Sequence, residues 1–183
     1  MSEERPAENL VNEGLDKAMF GAGCFWGVEA VFLKVPGVVD STSGYSGGHT
    51  ENPNYEEVCT DKTGHAEVVE VVFDPGEISY GDLVEFFWIM HDPTTLNRQG
   101  PDVGKQYRSA IFFYNKEQEE IAKESKTMLE QSGKHKQPVV TEITEASKFW
   151  RAEKYHQRYI ENHPGYVCPL VKRLNLQGIH FNF

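Results

Sequence analysis

The chain has 183 residues, a net charge of −10, 39% hydrophobic and 25% charged residues, which suits one soluble domain with a substantial core. The acidic balance argues against nucleic acid and anionic membrane surfaces as principal partners, because both require clustered Lys and Arg. The start, Met1-Ser2-Glu3-Glu4-Arg5-Pro6, has no apolar core of a secretory signal and no later run is long enough to span a bilayer, so a cytoplasmic protein is expected.

Residues 1–16 lack apolar periodicity and read as a flexible arm. The short apolar run Ala18 to Ala22 reads as a strand, and Val28 to Leu33 carries apolar positions spaced as on a helix face. Pro36-Gly37 breaks that helix, and Val38 to Tyr45 reads as a second strand running into the glycine-rich loop Ser46-Gly47-Gly48-His49. Asn52 to Cys59 fits one or two helical turns. From His65 to Asp74 the alternation is clear: Glu67, Val69, Val71 and Phe73 fall on one face, Ala66, Val68, Glu70 and Val72 on the other.

Ser79-Tyr80-Gly81-Asp82 opens a core helix with Leu83, Phe86, Phe87 and Met90 along its packed side, and His91-Asp92-Pro93 ends it. A loop from Thr94 to Gln106 leads into a strand from Tyr107 to Tyr114. Asn115 then caps a long polar helix, with Gln118 three residues on as in a capping box, Gly133 at its end and a thin stripe of Ile121, Ala122, Met128 and Leu129. Pro138 to Ile143 reads as an edge strand, and the aromatic run Phe149, Trp150, Tyr155 and Tyr159, with His156, reads as a helix stopped by Pro164-Gly165. Cys168-Pro169 falls in an irregular tail. The order β-α-β-β-α-β up to Tyr114 is the split βαβ (ferredoxin-like) arrangement, so the expected fold class is α+β, a mixed sheet with packed helices and added C-terminal elements.

Cys24, Cys59 and Cys168 are too few and too scattered for a disulfide scaffold, and an odd thiol count in a reducing compartment fits catalysis or redox chemistry. No Cys-x-x-Cys pair or tight His cluster suggests a zinc site. Cys24 is the thiol best placed for chemistry. It lies at a strand-to-helix turn inside Gly23-Cys24-Phe25-Trp26-Gly27, where free N–H groups and the helix dipole favour the thiolate. The plain alternative is a buried cysteine packed among aromatics. Glu67 shares a face with three apolar residues, where desolvation would keep a carboxyl protonated and able to donate; otherwise it sits in water at the strand end or pairs with a base. Tyr45, Tyr107, Asp102 and His156 are weaker candidates: on the residues alone the tyrosines read first as core or rim residues, His156 as a structural histidine and Asp102 as a turn residue.

Four motifs in order, Gly23-Cys24-Phe25-Trp26-Gly27, Gly44-Tyr45-Ser46-Gly47-Gly48, Gly64-His65-Ala66-Glu67-Val68-Val69 and Gln106-Tyr107-Arg108-Ser109, resemble the A-type peptide methionine sulfoxide reductases over roughly residues 17–165. The resemblance implies that Cys24 attacks a sulfoxide sulfur, that Phe25 and Trp26 hold the substrate methyl group, and that Glu67 protonates the sulfoxide oxygen. It further implies that Tyr45 and Tyr107 hydrogen-bond that oxygen, that Asp102 orients the polar network, and that His156 lies near the bound substrate. The domain reading that follows is an arm (1–16), a catalytic domain (17–165) and a tail (166–183) carrying Cys168. In its Gly-Tyr-x-Cys setting Cys168 resembles the resolving thiol of single-resolver members. Cys59 is expected to be a small buried residue.

The implied function is reduction of (S)-methionine sulfoxide, free or in proteins, through a Cys24 sulfenic acid and an intramolecular disulfide. No cofactor or metal is expected; the reductant is external, thioredoxin in the cell and dithiothreitol in vitro. The expected partners are thioredoxin and oxidised proteins, and the chain is expected to be a monomer. Two other classes stay open on the residues alone. One is a cysteine hydrolase with His156 or His65 as base and Asp102 as orienter, and the other is a binding module with an aromatic cup.

Overall fold

A computed structural model describes residues 14–181, so most of the expected N-terminal arm lies outside it. A six-stranded sheet has the order β7-β6-β1-β3-β2-β8, from strands β1 (Asp16–Ala22), β2 (Val38–Ser46), β3 (Ala66–Phe73), β6 (Ser109–Phe113), β7 (Glu142–Glu145) and β8 (Trp150–Arg151). Strand β3 pairs antiparallel with both β1 and β2, and β6 pairs antiparallel with β1, which is the split βαβ order anticipated from the element sequence. Strand β7 adds parallel to β6 at one edge.

The alternation of β3 decides where the core lies. Val69, Val71 and Phe73 join Ala18, Phe20 and Ala22 of β1 in the main cluster, beneath helices α1 (Phe25–Phe32), α3 (Tyr80–Met90) and α4 (Lys116–Gln131). Phe20 stacks on Phe32 and on Phe87, each at 5.3 Å, so one ring of β1 ties α1 to α3. The opposite face buries Met19, Ala66, Val68, Ala110 and Phe112 under Tyr114, Ala146 and Phe149.

Helix starts follow local chemistry. Short helix α2 (Tyr55–Val58) has a complete capping box from Asn54 and Glu57, and α3 has one from Ser79 and Asp82. Asn115 caps α4 through the Gln118 N–H, but the Gln118 amide accepts from the Tyr114 N–H and donates to the Lys17 carbonyl, tying the helix to β1.

Several expectations are corrected. Helix α1 begins at Phe25, directly after Cys24, and β7 starts at Glu142 rather than near Pro138. Of the stripe expected on α4 only Met128 departs, being 55% exposed; Ala122 is buried, Ile121 and Leu129 pack against the core, and Gln118 and Ser125 are buried beside them. The aromatic run after Phe149 is not one helix. Trp150 pairs with Tyr45 in the sheet, Lys154–His156 is a 3₁₀ turn, and only Tyr159–Asn162 (α5) is α-helical. The Thr94–Gln106 loop contains a small hairpin, β4 (Arg98–Gln99) with β5 (Asp102–Val103). The tail is not irregular: Cys168 caps helix α6 (Pro169–Leu176), whose Leu174 is fully buried. Cys59, expected to be buried, is exposed at the end of α2.

Candidate active site

Cys24 occupies the N-cap of α1, immediately beyond the C-terminal end of β1. Gly23 makes this turn possible: its φ is +92°, and a Cβ there would lie 2.7 Å from Gln99, so the absent side chain lets the β4–β5 loop close over the cysteine. Gln99 in turn clasps the Asp92 backbone, accepting from its N–H and donating to its carbonyl.

Glu67 faces the same turn from β3. It is 1% exposed, and Oε2 accepts from the Phe25 N–H at 3.0 Å. Burial pushes its pKa up to about 8 against that hydrogen bond, and Asp102 adds to the rise, so the carboxyl is held largely neutral near pH 7. Cys24 differs from the expectation of a ready thiolate. Burial and then the Glu67 charge raise its pKa, outweighing the opposing pull of the Trp26 backbone N–H. The two groups are therefore coupled: loss of charge at Glu67 is what favours the thiolate at Cys24.

Tyr45 is the cross-strand partner of Glu67, and its ring is buried against Phe25. Its hydroxyl donates to Glu153 Oε2 at 2.8 Å, while Glu153 Oε1 accepts from the Tyr55 N–H at 2.7 Å. Tyr107 closes the 3₁₀ turn Lys105–Tyr107; among the described residues its hydroxyl has no hydrogen-bond partner, and burial followed by the Glu67 charge raises its pKa. Asp102 is half-buried, and burial raises its carboxyl as well. It shares with Cys24, Cys168 and Arg173 a cavity of about 250 Å³.

Trp26 is held by several aromatic neighbours. Its indole N–H donates to His156 Nδ1 at 2.8 Å, its ring stacks on Tyr159 at 3.7 Å, and Tyr166 meets it edge-on. The buried His156 thus reaches the site through Trp26. Direct contacts join Phe25 to Glu67, Tyr45 and His156, and His156 to Trp26, while Asp102 and Cys168 line the cavity with Cys24; Cys59 stands apart at the end of α2.

Sequence reasoning missed three contributors. Glu153, the acceptor for Tyr45, sits in the polar run Ala152-Glu153-Lys154 and carries no pattern. Tyr166 was visible only as part of Gly-Tyr-x-Cys; it lies close enough to Cys24 and Cys168 that their charges help to push its pKa, chiefly raised by burial, to about 12. Glu29 is a fully buried carboxyl on α1, accepting from the Ser43 and Arg158 N–H groups.

A hydrolytic nucleophile needs a base, and neither histidine stands against Cys24. His65 uses both ring nitrogens, on the Gly48 N–H and the Thr50 carbonyl; His156 accepts from Trp26 at Nδ1 and its Nε2 lies 3.9 Å from Glu153 Oε2 rather than against the sulfur. A sulfur beside a neutral acid, with a second thiol on the same cavity, fits the class of thiol-based oxidoreductases. Comparison with known proteins makes the class specific. A profile of the peptide methionine sulfoxide reductases matches residues 16–181. The chain is 58% identical over 160 residues to peptide methionine sulfoxide reductase MsrA of Methanothermobacter thermautotrophicus, covering 87% of this chain and 95% of that one. Reduced Mxr1 of Saccharomyces cerevisiae superposes with a TM-score of 0.77 at 36% identity, over 85% of this chain and 90% of that one. Mxr1 in complex with Trx2 superposes at 0.55 with 26% identity, over 85% and 86%. The chain belongs to the peptide methionine sulfoxide reductase family.

Proposed function

We propose that the chain reduces the S epimer of methionine sulfoxide, in proteins and in free form, with Cys24 as nucleophile and Glu67 as acid. The observation that carries this reading is the placement of Glu67: a buried, largely neutral carboxyl one hydrogen bond from the first N–H after Cys24. Sulfoxide oxygen leaves poorly unless protonated, so the reaction needs a sulfur nucleophile and a neutral acid on one substrate.

Phe25 and Trp26 offer an apolar wall for the methyl group, and His156, with Tyr159, holds the Trp26 ring in place. Tyr107, with a free hydroxyl, donates to the sulfoxide oxygen; Tyr45, whose proton is committed to Glu153, supports it from behind. Asp102, on the same cavity as Cys24, adds negative charge that helps keep Glu67 protonated. Attack moves oxygen from substrate to Cys24, giving methionine and a sulfenic acid. Cys168 then displaces that oxygen as water and leaves a Cys24–Cys168 disulfide. An external dithiol returns both thiols, and the Mxr1 complex with Trx2 supports thioredoxin in that role.

In this reading residues 17–165 form the catalytic body, residues 166–183 bring the resolving thiol, and the enzyme works as a monomer in a reducing cytoplasm without a resident cofactor. No helix among the described residues is long and apolar enough to cross a membrane, and no group of three or more His, Cys, Asp and Glu among them could hold a metal. The test is a peptide assay with separated sulfoxide epimers and dithiothreitol. Methionine should form from the S epimer and not after Cys24→Ser. Turnover by that variant would assign the attack to another thiol.

A further inference from the structure

The last glycine of the Cys24 motif has no part in the chemistry above, yet its position is tightly constrained. Gly27 lies three residues beyond Cys24, on the same side of α1. A Cβ built on Gly27 would sit 2.5 Å from Cys168 Sγ and 3.3 Å from Leu170 Cβ. The sulfur of the tail therefore rests directly on the α1 backbone, one helical turn from Cys24, in a space that any side chain would fill. Cys24 and Cys168 line the same 250 Å³ cavity. Cys168 is the N-cap residue of α6, and the buried Leu174 anchors that helix in the core.

We propose that Gly27 is a positioning residue for the second half of the reaction, a seat kept free of side chain so that Cys168 waits beside Cys24 before substrate arrives. The inference rests on the reading that Cys168 resolves the sulfenic acid. The step it serves is balanced without another reagent. The Cys168 sulfur attacks the Cys24 sulfenic sulfur, the S–O bond breaks as the S–S bond forms, and the hydroxyl leaves as water with the Cys168 proton. The oxidising equivalent came from the sulfoxide. A tail that must first find Cys24 would lose the proximity that this seat provides.

The test is Gly27→Ala with a methionine sulfoxide peptide in single turnover, following methionine and the Cys24–Cys168 disulfide separately, and then with thioredoxin in multiple turnover. Alanine suits a helix better than glycine, so the helix itself is not the site of damage. The expected result is an unchanged burst of methionine with disulfide formation slowed about tenfold or more, as overpacking against a close sulfur implies, and thioredoxin-driven turnover reduced to match. Cys168→Ala removes the atom that the new methyl would meet, so Gly27→Ala in that background should give the same methionine burst as Cys168→Ala alone, even if the single variant folds poorly. A slower burst in the double variant would place Gly27 in the sulfoxide step and overturn the seat. Normal disulfide formation in Gly27→Ala, with turnover lost in Cys168→Ala, would overturn the seat alone. Full thioredoxin turnover in Cys168→Ala would instead overturn the resolving role on which it rests.

Discussion

A helix start is a favourable place for a thiolate, yet burial and Glu67 together outweigh that advantage at Cys24. Because the Glu67 charge is the second cause of the rise, Glu67→Gln should move the pH midpoint of Cys24 alkylation downward, measured by iodoacetamide rates with Cys59 and Cys168 replaced. An unmoved midpoint would mean that the two groups do not sense each other. The phenols divide similarly by partner. Tyr45 already donates to Glu153, whereas Tyr107 has its proton to give. Single-turnover sulfoxide reduction should therefore suffer more from Tyr107→Phe, by about tenfold or more for a lost transition-state donor, than from Tyr45→Phe. Glu67 was legible because alternation alone sets it beside Val69, Val71 and Phe73. Glu153 was not, since nothing local to a polar run indicates that its two oxygens meet Tyr45 and Tyr55 from a distant part of the chain.

Among the elements, α1 has a role beyond presenting Cys24. Glu29 on its buried side accepts from the Arg158 N–H at 2.7 Å and from the Ser43 N–H at 3.2 Å. This holds Arg158 in a left-handed conformation, with φ 54°, and sets Tyr159 against Trp26. Burial raises the Glu29 pKa to about 7 against its hydrogen bonds and the Arg158 charge. Its folded value lies above the unfolded one, so its contribution is complete below the unfolded value and is lost as pH rises toward 7, at up to ~1.4 kcal/mol per pH unit. Urea unfolding from pH 4.5 to 7 should show a flatter pH dependence for Glu29→Gln than for the wild type; equal slopes would remove Glu29 from the account. The same contacts explain why the C-terminal aromatics misled. Phe149, Trp150, Tyr155 and Tyr159 form an aromatic run with no Gly or Pro between them, but the Ala152 N–H donates to the Ser43 carbonyl and Glu29 fixes Arg158, so bonds to distant elements decide the local structure. Helix α6 stayed hidden for a related reason: its stability comes from Leu174 and the Arg173 bond to the His91 carbonyl rather than from a long amphipathic pattern.

At the scale of the whole molecule, the split βαβ sheet brings the ends of β1, β2 and β3 to one edge, and the β4–β5 loop and the tail helix close over it. The element order made the sheet legible, since β-α-β-β-α-β leaves few ways to cover one apolar face. The closure by α6 depends on contacts across more than a hundred residues and had no local signature. Cys168→Ser should still convert one equivalent of sulfoxide peptide yet fail to turn over with thioredoxin, as read by NADPH consumption through thioredoxin reductase. Sustained turnover would give the resolving step to Cys59 or to direct reduction. The most direct test of the pairing of Cys24 with Glu67 is single-turnover reduction of the S-epimer peptide by Glu67→Gln, with dimedone trapping and mass mapping of the oxidised sulfur. The account predicts a rate lower by ~10²–10⁴ with the label on Cys24; a wild-type rate, or a label on another cysteine, would contradict it.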